Sequence, residues 1–558
     1  FPTVYIHNWK ESDCFEVYVG ESNDIFRRTE EHYDAASDKS NWQSKLLEKD
    51  ARLYIIGHEH FNKSLTLDIE NRLMHYMMSA ERVRHVHNLR GNPQRSYYTM
   101  DEFDEIFKKI WRGLRKENKD LFPTENEIKD SAIYKASPLH KLTREQENAR
   151  DLIIQKVSKA LENGERQQLI FIDGEAGTGK TVLNSSTFYE LYCQAEEKKE
   201  KLNCYLLVNH DEQIIVYEQI AEKLGLVERY GKVVSKPTTF INNHSESDPA
   251  DVVFIDEAHL LLTQGKQSYR GENQLKDVID RARVTVVMFD ENQILTTEQF
   301  WEDQILEKYR NQAKKANNYI VLDKQLRMQA DSETIDWIDS FTKKGQLKKI
   351  PHTCGGYTIK IFDDPELLDV EIKRRADQSD SALSRVVATY DWEYSKRHKP
   401  EERTKKYWEV YVGKWHKPWN RELESELTGK EKRNIKRLAW AEQPQTINEV
   451  GSTFTIQGFD LNYVGVILGP SVKYRDGKII FDPSESHNDK AIRNRTLSDG
   501  TKHKFGEKLI QHEVRVLMTR GVNGMYIYAC DPELRVALLK ASESVSYTHL
   551  TLPTKRIV

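Results

Sequence analysis

The sequence lacks long apolar runs and a strong excess of either charge. No hydrophobic stretch in its 558 residues approaches the length of a membrane span, and no secretory signal is visible. Its 84 basic and 88 acidic side chains give a formal charge of -4, so the chain as a whole exerts no net attraction on nucleic acid. We therefore expect no membrane partner, and any site for a polyanion must be a local basic surface.

Cysteine is scarce and scattered. The five cysteines are an odd number and never form a C-x-x-C pair; they are Cys14, Cys193, Cys204, Cys354 and Cys530. This pattern favours reduced thiols in a cytoplasmic protein, with neither a disulfide framework nor a zinc knuckle. Two histidine pairs, His58 with His60 and His85 with His87, have no cysteine partner and are interpreted as ordinary polar histidines.

Apolar strands and helical stretches alternate along most of the chain. Strands such as QQLIFID and DVVFID, separated by helical patterns, indicate parallel sheets with crossover helices. We predict an α/β protein with a small domain over residues 1–100, a linker over 101–141, a first parallel-sheet lobe over 142–350 and a second lobe over 351–540 that contains a charged insertion at 393–436.

Both ends of the chain look artificial. The chain begins at Phe1 on the edge of a strand, so we expect that the true start is missing. The stretch VSYTHLTLPT reverse-translates to a sequence that resembles a library-preparation adapter, so residues 545–558 are expected to be a non-native read-through tail.

The stretch IFIDGEAGTGKT ends a strand, passes through a glycine-rich turn and continues into a helix. Glycines let backbone amides surround phosphate groups, and a helix N-terminus favours negative charge. In such a P-loop, Lys180 reaches the β- and γ-phosphates and Thr181 binds Mg²⁺. The predicted ATP-binding residues here are Gly174, Glu175, Ala176, Gly177, Thr178, Gly179, Lys180 and Thr181.

Later motifs predict the rest of an ATP hydrolysis site. DVVFIDEAHLL brings Asp256 to the metal and leaves Glu257 to orient the attacking water. VVMFDENQ supplies Gln293, a candidate sensor of the γ-phosphate. Arg327 and Arg520 are candidate cations for the charge that develops on the transferring phosphoryl group, although a lone arginine is more often a surface residue.

The order of these motifs resembles superfamily 1 helicases, specifically the Schlafen group 3-like DNA/RNA helicase family, over residues 140–540. The resemblance is carried by LTREQ, the P-loop, LLVNH, IDEAH, FDENQ, QLRM, VVATYDW, FTIQGFDLNYVGVILG and VRVLMTRG. It implies two RecA-like parallel-sheet lobes of a P-loop NTPase that close on ATP, with nucleic acid crossing both lobes. It also implies adenine contact by Gln146 and arginine fingers at Arg327 and Arg520.

An aromatic block, KKYWEVYVGKWHKPWN at residues 405–420, has two interpretations. Its aromatic residues alternate with lysines, as in platforms that stack single-stranded bases; they are Tyr407, Trp408, Trp415 and Trp419. WEVYV also alternates like a strand whose aromatic side chains pack in the second lobe, and this interpretation is preferred.

The small N-terminal domain resembles GIY-YIG nucleases over residues 3–95. TVYI and VYVG, with the polar residues that follow them, occur in the family's order and approximate spacing, although Thr3 replaces the usual glycine. The resemblance implies a catalytic set of Tyr5, Tyr18, Arg28, His32, Glu70 and Asn88, in which Glu70 binds the metal ion. We expect the strand to end at Gly20, so that a phosphate approaches the backbone, and Arg27 to point elsewhere.

These residue types suit phosphodiester hydrolysis, which needs a polarised water, a divalent cation and a positive charge against the transition state. The sequence therefore predicts an ATP- and Mg²⁺-dependent nucleic-acid motor with an N-terminal endonuclease, and the resemblance places it in bacterial genome defence or repair. Two alternatives remain: an ATP-gated binding switch without processive unwinding, and a non-cleaving N-terminal domain that grips nucleic acid. DNA is the preferred substrate, but no motif excludes RNA.

Overall fold

A computed structural model describes residues 1–37, 42–88, 100–265, 269–351, 356–378, 381–395, 398–400 and 406–542. Cys354 and the suspected tail lie outside these ranges. Among the helices of the described residues, none is both long and apolar enough to cross a membrane.

The N-terminal unit is a four-stranded sheet covered by helices. Its elements are β1 (Thr3–Glu11), β2 (Cys14–Ser22), α1 (Ile25–Ala35), β3 (Arg52–Ile56), α2 (Lys63–Ser79) and β4 (Val83–Val86), with a 3₁₀ turn at Trp42–Leu47. The strand order is β3-β1-β2-β4. The β1–β2 hairpin and the β1–β3 pair are antiparallel, whereas β2 and β4 are parallel. Leu65 and Ile69 lie on the face of α2 that packs in the core beneath this sheet.

The segment predicted as a linker contains three helices, α3 (Phe103–Glu117), α4 (Glu125–Asp130) and α5 (Ala132–Ala136). Trp111 and Phe122 from this segment are fully buried in an apolar core that also contains Ile69 from α2 and Ile172 from the first lobe. Residues 101–141 therefore pack between the N-terminal sheet and the first lobe. The helix α3 has its buried apolar residues at helical spacing, whereas α4 and α5 are too short for a periodic pattern to show.

The first lobe has a six-stranded, fully parallel sheet in the order β10-β5-β9-β8-β6-β7. Its elements are α6 (Arg144–Glu162), β5 (Gln168–Gly174), α7 (Lys180–Lys198), β6 (Cys204–Leu207), α8 (Asp211–Lys223), α9 (Leu226–Tyr230), β7 (Val234–Ser235), α10 (Pro237–Asn243), β8 (Ala250–Ile255), α11 (Gln274–Asp280), β9 (Ala282–Phe289), α12 (Asp303–Lys315) and β10 (Tyr319–Leu322). The predicted strands of this lobe are confirmed.

The second lobe has a five-stranded parallel sheet in the order β11-β21-β16-β12-β15. Its elements are α13 (Ser332–Lys344), β11 (Thr358–Ile361), α14 (Pro365–Ala376), β12 (Arg385–Ala388), β13 (Glu409–Val412), β14 (Trp415–Pro418), α15 (Gly429–Ile435), β15 (Val450–Gly451), α16 (Thr453–Ile456), β16 (Leu461–Leu468), β17 (Val472–Arg475), β18 (Lys478–Phe481), α17 (Asp489–Ile492), β19 (Arg495–Thr496), β20 (Lys502–His503), α18 (Gly506–Met518), β21 (Gly521–Ala529) and α19 (Pro532–Ser542). The protein thus has the predicted α/β fold with two RecA-like parallel-sheet cores.

The aromatic block forms the β13–β14 hairpin of the second lobe. Trp419, just after β14, is fully buried against Tyr390 and Trp392. Tyr411 on β13 is exposed instead. Trp419 is therefore a packed core residue, in line with the preferred interpretation. The ring of Tyr411 faces outward from the hairpin.

Candidate functional site

The P-loop lies between β5 and α7, at the carboxyl edge of the first sheet. Gly177 and Gly179 have φ angles of 86° and 78°, a left-handed backbone that favours glycine. Lys180 Nζ donates to the carbonyl oxygens of Gly174 at 2.6 Å and Glu175 at 2.8 Å, so the lysine folds back over the loop. The amides at the start of α7 and this cation together form a phosphate-binding cradle.

The first residues of the QLRM motif (325–328) lie over the P-loop. Gln325 Nε2 donates to the carbonyl of Ala176 at 2.6 Å, and the backbone N–H of Leu326 donates to that of Gly177 at 2.7 Å. A Cβ at Gly177 would lie 1.9 Å from Gln325 Oε1, so this approach requires glycine. Gln146 Nε2 lies 3.3 Å from the carbonyl oxygen of Gly179, at the other side of the loop.

Asp256 and Glu257 follow β8 and are buried below the P-loop. Burial and the neighbouring Glu257 raise the pKa of Asp256 to about 7. Burial alone would raise the pKa of Glu257 too, but the charges of His259, Lys180 and two arginines lower it below its ordinary value. Tyr217 donates to Asp256 Oδ2 at 2.5 Å, and Glu257 Oε2 lies 3.3 Å from His259 Nε2.

Gln293 connects the two lobes. Its Nε2 donates to Asp290 Oδ2 at 2.8 Å, and its Oε1 accepts from Arg520 Nη2 at 2.7 Å. Arg520 stands between α18 and β21 of the second lobe and is completely buried. Arg327 lies on the same side, where its Nε is 2.5 Å from Asp460 Oδ1. Arg327 therefore lines the site, whereas Arg520 contacts it only through Gln293.

The P-loop itself is also paired with the second lobe. Glu175 Oε2 lies 2.6 Å from Arg515 Nη2 of α18, and its Oε1 lies 2.7 Å from Lys343 Nζ of α13. Asp339 pairs with both of these cations. This network holds the two lobes together beside the phosphate cradle.

A cavity of about 340 Å³ opens above the cradle, and both lobes line it. Its walls include the P-loop, Gln146, Glu257, Gln293, Arg327 and Gly458. Tyr134, Lys135 and His140 from the segment 101–141 form another part of the wall. Cavities of this size bind small ligands in proteins, and the lining combines cations, carboxylates and an aromatic ring.

Residues in and next to this cavity fit a nucleotide with a divalent metal ion. The buried Asp256 Oδ1 has no hydrogen-bond partner among the described residues, and Thr181 lines the cavity at the start of α7. Hard cations prefer carboxylate and hydroxyl oxygens of this kind. Asp256 and Thr181 would hold Mg²⁺ there, as the P-loop pattern predicts.

In the N-terminal domain, four predicted residues share one cluster. The hydroxyl of Tyr5 lies 3.0 Å from His32 Nε2 and accepts from Arg28 Nε at 3.4 Å. The ring of Tyr18 lies 5.1 Å from that of His32. Burial and the charge of Arg28 lower the pKa of His32 to about 4, so its imidazole is neutral at pH 7. Arg27 is largely exposed, as expected.

Gly20 has a different role from the predicted one. The strand β2 continues past it to Ser22, and Gly20 stands opposite Tyr5 in the hairpin register. A Cβ at Gly20 would lie 2.5 Å from the Tyr5 hydroxyl oxygen. The expectation that the strand ends at Gly20 was wrong. The glycine instead makes room for the side chain of Tyr5.

Glu70 and Asn88 form a second buried pair in this domain. Asn88 Nδ2 donates to Glu70 Oε1 at 2.8 Å and to the carbonyl oxygen of Val19 at 2.6 Å. Asn88 thus links Glu70 to Val19 of β2. Val19 is next to Gly20, which stands opposite Tyr5. The six predicted residues therefore form two polar groups, one with Tyr5, Tyr18, Arg28 and His32 and the other with Glu70 and Asn88.

Comparisons with known proteins agree with the motor geometry. The family described as Schlafen group 3, DNA/RNA helicase domain, matches residues 167–531. The chain belongs to this family. An uncharacterized protein of Saccharomyces cerevisiae is 30% identical over 436 residues, which covers 72% of this chain and 91% of the yeast protein. The N-terminal sheet lies outside the residues that match this family.

Solved helicase structures show weaker likenesses. Pif1 helicase from Candida albicans is 14% identical with a TM-score of 0.22, over 43% of this chain and 55% of that one, so the match spans about half of its length. A structure of two coordinating Pif1 helicases that unwind forked double-stranded DNA is 11% identical with a TM-score of 0.26, over 71% of this chain and 94% of that one.

Sequence reasoning missed several residues of the motor site. Gln325 covers the P-loop, Asp460 pairs with Arg327, and Tyr134 lines the cavity. Gly458 has a φ of 84° and stands against Gln213, where a Cβ would be 2.7 Å from Nε2. Gln325, Gly458 and Asp460 lie within or beside the quoted motifs QLRM and FTIQGFD, so the signal was present. Tyr134 had no such signal.

Proposed function

We propose that this chain is an ATP-dependent motor that moves along nucleic acid, with DNA as its substrate, and that its N-terminal domain is a Mg²⁺-dependent endonuclease. The observation that carries the motor proposal is the bond between Arg520 of the second lobe and Gln293 of the first. It supports a cycle in which nucleotide state controls how the lobes meet.

For ATP hydrolysis, different residues of this chain have different roles. Lys180 and the amides of the P-loop bind the phosphates, and Gln146 lies beside the loop to contact the base. Glu257 orients the attacking water and accepts its proton. Arg520 stabilises negative charge that develops during phosphoryl transfer. Mg²⁺ supplies charge neutralisation and orients the phosphate oxygens when it is bound.

For phosphodiester hydrolysis, we propose that Tyr5 and Arg28 face the scissile phosphate and that Glu70 holds Mg²⁺. Burial, more than the neighbouring Tyr18, raises the pKa of Tyr5 above its usual range, so its hydroxyl keeps its proton. The neutral His32 can accept a hydrogen bond from the Tyr5 hydroxyl at 3.0 Å, which directs the hydroxyl proton away from the phosphate. The Tyr5 oxygen can then accept a hydrogen bond from the attacking water and orient it, while Arg28 supports the charge on phosphate.

The experiment is a nicking assay on supercoiled DNA with Mg²⁺, with and without ATP. We expect the chain to nick DNA, Glu70→Gln to abolish nicking while ATP hydrolysis continues, and Lys180→Ala to remove the effect of ATP on nicking. Asp68→Asn is the matched control, because it alters another buried acid of α2 and should retain nicking. Nicking by Glu70→Gln at the wild-type rate would refute the nuclease assignment.

A strand-displacement assay tests the motor itself. A partial duplex with one labelled strand should be separated when ATP is present and left intact with Lys180→Ala. DNA-stimulated ATP hydrolysis without displacement or translocation would refute the motor and favour the ATP-gated switch. The same assay on an RNA duplex would show whether RNA replaces DNA as the substrate.

A further inference from the structure

Three polar side chains converge at one edge of the N-terminal sheet, apart from the two groups described above. Glu16 of β2 stands directly opposite His85 of β4 in the parallel register, and His87 lies two residues further on, just past the end of β4. Alternate residues of a strand point to the same face, so all three side chains share one face of the sheet. One donor atom from each lies within 4.8 Å of the other two.

The geometry within this cluster is compact. His87 Nε2 lies 2.7 Å from Glu16 Oε2, and the rings of the two histidines stack at 4.0 Å with 13° between their planes. The side chains of His87 and Glu16 are only 15% and 13% exposed. These donors are therefore held in place by the sheet.

We propose that Glu16, His85 and His87 bind a transition-metal dication of the Zn²⁺ type. Two imidazole nitrogens and one carboxylate oxygen form a common ligand set for zinc, with a fourth position left for water. Imidazole nitrogen suits zinc and its neighbours in the periodic table, whereas Mg²⁺ prefers oxygen. The site is therefore chemically distinct from Glu70 and from the Asp256 site.

The surroundings support a bound cation. Trp9 and Trp42 lie 5.1 and 6.0 Å from the ring of His87 and form an apolar wall beside it. Arg84 of β4 pairs with Glu11 at the end of β1 at 3.8 Å, so the charges of these two groups offset each other beside the cluster.

The position of the cluster indicates what the metal would stabilise. Asn88, which holds Glu70, is the residue after His87. On the other side, Gly225 of the first lobe lies so close to His85 that a Cβ there would be 3.0 Å from Nε2. A bound metal ion would hold the end of β4 in position beside the first lobe. It would thereby restrict movement of the backbone at Asn88.

Zinc binding by the tag-free chain tests this proposal without an activity assay. The chain is stripped with a chelator and titrated with Zn²⁺ against a chromophoric competitor in excess Mg²⁺, and Co²⁺ is added separately to record visible absorption. We expect one tightly bound equivalent and the intense absorption of low-coordinate Co²⁺. Absence of a tightly bound equivalent in the wild-type chain would overturn the proposal without reference to any variant.

The variants locate the bound ion. Glu16→Gln combined with His87→Gln should weaken Zn²⁺ binding by more than about 100-fold, because even loss of a partner that only supports a ligand costs about 10–100-fold. His85→Gln alone should also weaken Zn²⁺ binding. The matched control is His58→Gln with His60→Gln, an alternating pair with edge-on rings 5.3 Å apart at 86°. Equal binding by the cluster variant and this control would refute the site.

Discussion

Replacing Arg520 with alanine tests the coupling between the two lobes. The guanidinium of Arg520 is fully buried and donates to Gln293 Oε1 at 2.7 Å, to the Phe459 carbonyl oxygen at 3.4 Å and to that of Val516 at 3.2 Å. Burial, then the nearby Arg327, lowers its pKa to about 10, so it remains cationic at pH 7. A positive charge therefore lies beside Gln293 at pH 7.

The expected loss is mainly in turnover. Arginine fingers contribute about 10³–10⁵ to kcat, so Arg520→Ala should lower the ATPase kcat by about 10³-fold, which corresponds to about 4 kcal/mol of transition-state stabilisation. The affinity for ATP should change by less than about threefold, because the contact strengthens mainly in the transition state. Steady-state phosphate release gives kcat, and binding of a fluorescent ATP analogue gives the affinity.

Loss of a buried arginine also has a structural cost, which needs a control. The alanine variant leaves Gln293 Oε1 without this donor, at a cost of about 1–3 kcal/mol. Arg385 is equally suited for comparison: it is buried in β12, donates to Thr446 Oγ1 at 2.9 Å, and burial lowers its pKa to about 10 as well. Arg385→Ala should lower the melting temperature similarly and leave kcat within a few-fold of wild type. Equal loss of kcat in both variants, or a normal kcat in Arg520→Ala, would refute the finger role.

Three further changes have distinct expected outcomes. Lys180→Ala should abolish phosphate release, whereas Lys223→Ala, which removes a buried lysine bonded to a carbonyl at 2.8 Å, should retain it; comparable activity in both variants would contradict the P-loop assignment. Gly20→Ala should displace Tyr5 and abolish nicking with ATPase activity unchanged, and normal nicking would show that Tyr5 is not needed there. Burial and Asp391 raise the pKa of Glu513 from 4.5 to about 8, so the folded chain keeps a proton that the unfolded chain releases, and stability falls as pH rises between these values. Glu513→Gln should therefore raise the melting temperature at pH 8.5 and change it little at pH 4.5; an equal shift at both values would contradict this pKa.

The motor core was predictable because its chemistry is encoded in short segments. Gly177, Gly179 and Lys180 must follow one another closely for a turn to surround phosphate and enter a helix, so their spacing alone indicates the function. Asp256 similarly comes at the end of an apolar strand. Parallel sheets bring such strand ends to a common edge; the P-loop residues line one cavity together with Glu257, and Asp256 is the residue before Glu257.

The role of Gly20 was not predictable in the same way. In the sequence, a glycine after VYV indicates a strand end or a close approach to the backbone. Which approach occurs depends on the hairpin register, which pairs Gly20 with Tyr5. The neighbouring side chain, rather than a ligand, occupies the space that the missing Cβ leaves.

The α/β class, the quoted strands of the first lobe and the local ATP motif could be predicted from the sequence, since these depend on periodicity and on neighbours within a few residues. Three contacts became visible only in the fold: Tyr134 lines the nucleotide cavity, Arg515 pairs with Glu175, and Glu16 lies beside His85 and His87. Each of these contacts joins residues that are distant in the chain. Sheet order, register and helix packing create them, and spacing along the sequence does not encode those distances.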